Sequence, residues 1–237
     1  MLIDHLGVGG AQVHLINLVT RLQEFEDLHI TICSLHADNH IYASQFEKIG
    51  VEVIFLSTTR EKRKLFNIAK QLHTLLKSRD INLIHTFLHA SYIIGVPVAK
   101  LRRIPVLHSF LSAIPQMPKW YLLSLLFFQF VTDRFIVTNH KNKLKFIMVN
   151  TRKRYRLAPL ALDFGPYYAI HHDPQVNIVP YDLDGAYPVV LSIGRLHPDK
   201  GHQYVIEAWK RISRVFPEGR LLIVGSGLYE EKLKRII

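Results

Sequence analysis

The chain has 237 residues, 49% of them apolar, which is enough for one large core or two small ones and excludes a disordered protein. Its 30 Lys and Arg against 19 Asp and Glu give a formal charge of +11, so its field attracts anions and leaves nucleic acid, anionic lipid and phosphorylated metabolites open as ligand classes. A single cysteine rules out an internal disulfide, and the fourteen histidines show neither HExxH nor a Cys/His cluster with ligand spacing, so no metal is expected.

In chain order, Met1 to Leu6 reads as the clipped end of a strand that runs into Gly7-Val8-Gly9-Gly10 and a helix from Ala11 to Leu22. Met1 is not followed by a basic segment and a long apolar run, so a secretory leader is not expected. The glycines suit either a turn of positive φ that lets backbone approach a ligand or a purely structural tight turn. GxGxxG spacing is incomplete and no acid stands at ribose-reading distance, which disfavours a dinucleotide site.

Strand candidates follow at Leu28–Leu35, Val51–Leu56, Ile81–Phe87, Ile104–Phe110, Arg134–Thr138 and Tyr155–Pro159, then Val189–Ile193 and Arg220–Val224. Between them lie helical patterns such as Leu65, Ile68, Ala69, Leu72, Leu75 and Leu76. This alternation predicts an α/β architecture of parallel sheets flanked by helices, with ligands at the carboxyl ends of the strands. Cys33 falls inside an apolar strand, so a buried thiol in a reducing cytosol fits.

His108 follows Ile104-Pro105-Val106-Leu107 and is expected at a carboxyl strand edge, as a hydrogen-bonding or acid–base group or as a satisfied structural residue. His85 and His89 share the ambiguity with weaker claims. Trp120 to Val131 is apolar for twelve residues, too short to span a bilayer, and reads as a buried or an interfacial helix. Lys119, Trp120, Tyr121, Phe127, Phe128 and Phe130 keep contact with an anionic membrane surface open.

The alternation lapses from about Leu162 to Pro188, among Gly165-Pro166, Asp173-Pro174, Pro180 and Gly185, so a first domain over 1–165, a linker over 166–187 and a second unit over 188–237 are expected. Two strands and two helices do not cover both faces of a doubly wound sheet, so the second domain is expected to be partial and the chain a fragment. In that unit Ser192-Ile193-Gly194-Arg195-Leu196-His197-Pro198-Asp199-Lys200-Gly201 joins a strand to a helix. Arg195 and Lys200 add two cations at a helix start that already favours anions, so a phosphate or diphosphate is the simplest ligand and a solvated turn the plain alternative. Gly225-Ser226-Gly227 is a second glycine turn after a strand and adds Gly225 and Gly227 as cleft candidates.

Taken together, Gly9-Gly10, His108, Pro159-Leu160-Ala161-Leu162-Asp163, the Gly194–Gly201 turn and Leu222-Ile223-Val224-Gly225-Ser226-Gly227 resemble the family 4 glycosyltransferases of the GT-B fold, in family order and over essentially the whole chain. The resemblance implies a Rossmann-like acceptor-side domain followed by the first part of a Rossmann-like nucleotide-sugar domain. It implies Arg195 and Lys200 as clamps on the donor diphosphate, with Gly194 in their turn, Gly9 and Gly10 giving backbone approach to phosphate or acceptor, and His108 touching the transferred sugar. Transfer would be retaining, metal-free and without an assigned protein nucleophile, from a UDP- or GDP-type nucleotide-sugar donor to a glycan or lipid-linked acceptor in polysaccharide synthesis at the cytoplasmic membrane face. No cofactor is implied. The family's glutamate pair seven residues apart is not matched by Glu230 and Glu231, which leaves a non-catalytic remnant or binding subunit as the alternative. Nucleic-acid binding lacks a supporting motif and is not expected.

Overall fold

The computed structural model describes residues 1–37, 40–57, 65–111, 119–138, 155–160, 165, 168 and 183–237. The chain divides into two compact units, Met1–Gly165 and Pro166–Ile237. Most of the expected linker, and Ala161, Leu162 and Asp163 of the Pro159–Asp163 segment, lie outside the described residues.

In the first unit, strands β1 (Leu2–Ile3), β2 (Thr31–Ser34), β3 (Glu52–Phe55), β4 (Ile84–Phe87), β5 (Val106–Phe110), β6 (Arg134–Val137) and β7 (Tyr155–Leu157) form one sheet in the order β3-β2-β1-β4-β5-β6-β7. Every pairing is parallel. Helices α1 (Gly10–Leu22), α2 (Ala43–Lys48), α3 (Leu65–Ser78), α4 (His89–Leu101) and α5 (Lys119–Phe128) accompany it. The strands are shorter than their apolar runs because an apolar side chain is buried by packing, whereas a strand ends where its ladder partner ends.

Side-chain alternation splits the core into two layers. Leu2, Ile84, Val106 and Phe110 pack with Ile68 and Leu72 of α3, Tyr92 of α4 and Leu125 of α5. Ile3, Ile32 and Phe87 pack on the other face with Leu15 and Val19 of α1 and Phe46 of α2. Each such side chain removed from water stabilises the fold by ~1.5–3 kcal/mol before entropy is counted. Ile68, Leu72 and Leu76 are buried at a spacing of four, which is the stripe that makes α3 a helix against this sheet.

The strand order reverses between β1 and β4. In an open parallel sheet the loops on either side of that switch point diverge and leave a crevice at the carboxyl ends. Asp4, directly after β1, spans it: the backbone N–H groups of Ala90 and Ser91 donate to its carboxylate at 3.1 and 2.7 Å, which caps α4.

The second unit pairs β8 (Val189–Ile193) with β9 (Arg220–Val224) in parallel. A 3₁₀ turn (Pro198–Lys200) and α6 (His202–Val215) connect them, and α7 (Glu230–Lys234) follows. Leu196, Ile206 and Leu233 form a small core. Val189, Leu191 and Ile193 on one face of β8 remain exposed.

Candidate functional site

At the carboxyl edge of β8 and β9 the two glycine turns of the second unit lie against each other. Gly194 N–H donates to Val224 O at 3.0 Å, Leu196 N–H to Ser226 O at 2.8 Å, and Tyr229 N–H to Leu196 O at 3.2 Å. A Cβ on Gly225 would stand 1.9 Å from Gly194 O, and one on Gly227 2.3 Å from Leu196 O. The lack of a side chain at Gly225 and Gly227, expected as cleft candidates, is therefore needed for backbone packing against the other turn.

The Gly194 turn combines a left-handed glycine, an uncapped helix start and two cations. Gly201 closes the 3₁₀ turn at φ 74°, a left-handed value that favours glycine, and caps α6. No side chain caps α6 and its first turn holds no acid, so its N–H groups keep their positive potential. Arg195 and Lys200 are both exposed, and among the described residues neither forms a salt bridge. The Lys200 stem lies over Gly194, its Cγ 3.8 Å from where a Gly194 Cβ would be. Below the turn His202 is 1% exposed, with Nδ1 at 2.9 Å from Ser192 Oγ and Nε2 without a partner.

In the first unit, Gly7, Gly9 and Gly10 do not adopt positive φ, contrary to expectation; Gly9 is extended at φ 174°. The loop is held instead by Gln12, 2% exposed, whose Nε2 donates to His5 O at 3.0 Å. A Cβ on Gly9 would meet Gln12 Oε1 at 2.5 Å, whereas one on Gly10 would meet nothing within 4 Å. Gly10 thus leaves open space at the start of α1, whose N-terminal turn also lacks a capping side chain and an acid.

His108 is the main correction. It sits in the middle of β5 rather than at its edge, is 1% exposed, and uses both ring nitrogens. Nδ1 lies 2.8 Å from Thr86 Oγ1 and Nε2 2.7 Å from Tyr121 OH, while the Tyr92 ring packs against it, tilted by 42° with centroids 4.2 Å apart. Burial pulls its pKa down to about 3, so the ring is neutral and enclosed by protein. His85 is likewise buried, at 2.7 Å from Ser109 Oγ, and burial lowers its pKa well below the usual value. His89, one of the weaker sequence candidates, does stand at the carboxyl edge, as His5 and His36 do after β1 and β2, and is half-buried at the first turn of α4.

Residues 8–156 match the family described as Glycosyltransferase Family 4, and residues 176–237 match Glycosyl transferases group 1. The chain belongs to glycosyltransferase family 4. It resembles the solved structure of Anabaena HepE in complex with UDP and glucose, with a TM-score of 0.76 at 15% identity, over 100% of this chain and 64% of that one. A glycosyltransferase from Rickettsia africae gives 0.69 at 15% identity, over 100% and 63%. At these identities the likeness shows the GT-B fold alone. A GDP-mannose-dependent alpha-(1-6)-phosphatidylinositol monomannoside mannosyltransferase of Mycolicibacterium smegmatis is 32% identical over 114 residues, 42% of this chain and 28% of that enzyme. An uncharacterized glycosyltransferase of Haemophilus influenzae is 40% identical over 47 residues, 20% and 13% of the two chains. This family 4 chain therefore spans less than two thirds of these relatives. No described helix is long and apolar enough to cross a membrane, and no described group of His, Cys, Asp or Glu could hold a metal ion.

Proposed function

We propose that the Gly194–Gly201 turn binds the diphosphate of a UDP- or GDP-linked sugar, and that the chain supplies this part of a glycosyltransferase site. The observation that carries it is the pair of exposed cations without an acidic partner, Arg195 and Lys200, beside the uncapped start of α6. As the bond between the sugar's anomeric carbon and the diphosphate oxygen breaks, charge grows on the leaving nucleotide. Fixed cations and helix N–H groups stabilise that charge more than they stabilise the bound donor. The acceptor hydroxyl bonds to the anomeric carbon and passes its proton to the departing diphosphate, whose growing charge makes it the base. Retention of configuration rests on family resemblance. Calorimetric titration of the chain with UDP and GDP tests the reading: at least one binds, and Arg195→Ala with Lys200→Ala abolishes it. Binding that survives both substitutions removes the clamp.

The acceptor is proposed to be a glycan or a lipid-linked sugar reached at a membrane surface. Trp120, Leu123 and Phe127 form an exposed apolar stripe along α5, next to Lys119, on a chain of charge +11. Flotation with vesicles containing anionic lipid tests this element, and absence of binding with and without that lipid removes it.

A further inference from the structure

His202 opens α6 and is 1% exposed, yet its Nε2 is a buried polar atom without a hydrogen-bond partner among the described residues. A ring so enclosed is ordinarily satisfied at both nitrogens, as that of His108 is. Nδ1 lies 2.9 Å from Ser192 Oγ on β8, which holds the ring and turns Nε2 the other way. Nε2 faces the place of the side chain that Gly194 lacks. It is the nearest atom to where a Gly194 Cβ would stand, at 3.5 Å, followed by Cε1 of the same ring at 3.7 Å and Lys200 Cγ at 3.8 Å. These are ordinary van der Waals separations, so a methyl group would fit and packing does not demand glycine there. Gly194 has no positive φ either. Close backbone approach explains Gly225 and a left-handed conformation explains Gly201, but neither explains Gly194. The empty place is covered by the stem of Lys200, a long exposed side chain, and adjoins the start of α6, which has no capping side chain and no acid in its first turn.

We infer that the empty place over Gly194 receives one anionic oxygen of the ligand, and that His202 Nε2–H donates to it from below. The inference rests on the diphosphate reading of the turn and adds a third side chain to it, one that neither charge nor exposure reveals. When the Lys200 ammonium turns to the anion, its stem leaves Gly194 and the oxygen takes the vacated place. An oxygen slightly below the Cβ position is at hydrogen-bonding distance, ~3 Å, from Nε2. With the Ser192 hydroxyl donating to Nδ1, the imidazole hydrogen stays on Nε2. In the empty protein that donor is buried and unpaired, a free-energy cost that a bound anion removes, and the surrounding low dielectric strengthens the bond. Arg195 and Lys200 attract phosphate to the turn from any side, whereas a single enclosed N–H fixes which oxygen lies over Gly194 and so how the group is turned. His202 is a binding residue in this arrangement, and Ser192 is a positioning residue that acts through it.

The probes are UDP, GDP and inorganic pyrophosphate, titrated calorimetrically into the full chain. His202→Phe keeps a ring but no donor and is expected to weaken every probe that binds the wild-type chain about tenfold. His202→Gln, which retains an N–H donor, is expected to recover most of that loss. Gly194→Ala tests the same place without touching the core: its methyl fills the space over Nε2, so an equal loss of affinity is expected at an unchanged melting temperature. Proton–nitrogen correlation spectra read the tautomer, with the hydrogen on Nε2 in the wild-type chain, a changed tautomer ratio in Ser192→Ala, and an Nε2–H resonance that moves when the anion binds. If His202→Phe does not fold, Gly194→Ala and the spectra decide. Affinity unchanged in Gly194→Ala, or an Nε2 resonance that a bound probe does not move, overturns the inference and leaves the diphosphate reading intact, provided that Arg195→Ala and Lys200→Ala still weaken binding. Failure of all three probes to bind the wild-type chain overturns the diphosphate reading, and the oxygen place over Gly194 with it.

Discussion

Two glycine-rich turns, each following a strand and preceding a helix, have opposite physical needs. At Gly225 an added Cβ would stand 1.9 Å from the carbonyl oxygen of Gly194, whereas at Gly10 it would meet nothing within 4 Å. The first glycine is required by a neighbouring backbone; the second borders empty space. Glycine after a strand is therefore not in itself a sign of a ligand, and what separates the cases is whether the protein already fills the place of the missing side chain. Gly225→Ala is the largest effect expected. A carbonyl of the adjacent strand end cannot move aside as a flexible side chain can, so a loss of ~3 kcal/mol or more is expected for the second unit. Denaturant unfolding followed by Trp209 fluorescence measures it, and a loss below ~1 kcal/mol would mean that the two turns are not locked together.

The same contrast applies to histidines. His108 is enclosed with both nitrogens satisfied, whereas His89 stands at the edge. His108→Leu leaves Thr86 Oγ1 and Tyr121 OH short of a partner and is expected to cost ~2–4 kcal/mol. The sign of the pH dependence follows from the lowered pKa. In the unfolded chain His108 protonates near its ordinary 6.5, and in the fold only at about 3. Its contribution is complete above pH ~6.5 and is lost by ~1.4 kcal/mol per unit as pH falls toward 3. His85 acts in the same direction. Unfolding curves between pH 7 and 4 should show this decline, shallower in His108→Leu; a flat profile would contradict the buried neutral ring.

Alternating apolar runs and amphipathic stretches were enough to read the parallel α/β plan, and β8 and β9 have the same bounds in sequence and structure. Their apolar runs are flanked by Pro188 and Gly219 at the start and by Gly194 and Gly225 at the end. His108 could not be placed that way. β5 continues past it because Ser109 and Phe110 find ladder partners in Ile136 and Val137, which lie far along the chain. His89 was visible but undervalued: the bend that exposes it comes from Leu88, a residue type that gives no turn signal. The positive charge at the Gly194 turn was legible because Arg195, Lys200, glycine and helix start are adjacent in sequence.

A smaller effect, confined to binding, separates the proposed diphosphate turn from its scaffold. Arg195 and Lys200 are exposed and make no described ion pair, so Arg195→Ala or Lys200→Ala should leave stability within ~0.5 kcal/mol. Each should weaken UDP or GDP binding about tenfold, ~1.4 kcal/mol. Equal losses of stability and affinity would make the two cations structural, as Gly225 is.

The smallest expected change is the most discriminating for the first glycine turn. Gly10 is the first residue of α1, is exposed and has no positive φ to protect, so Gly10→Ala should leave stability unchanged or raise it by up to ~1 kcal/mol through helix propensity. If a phosphate or acceptor hydroxyl approaches the uncapped N–H groups of α1, the added methyl stands in its path, and ligand affinity falls although stability does not. If affinity also stays unchanged, Gly10 is only a helix start. A large loss of stability would refute the open space itself, and with it the contrast between the two turns.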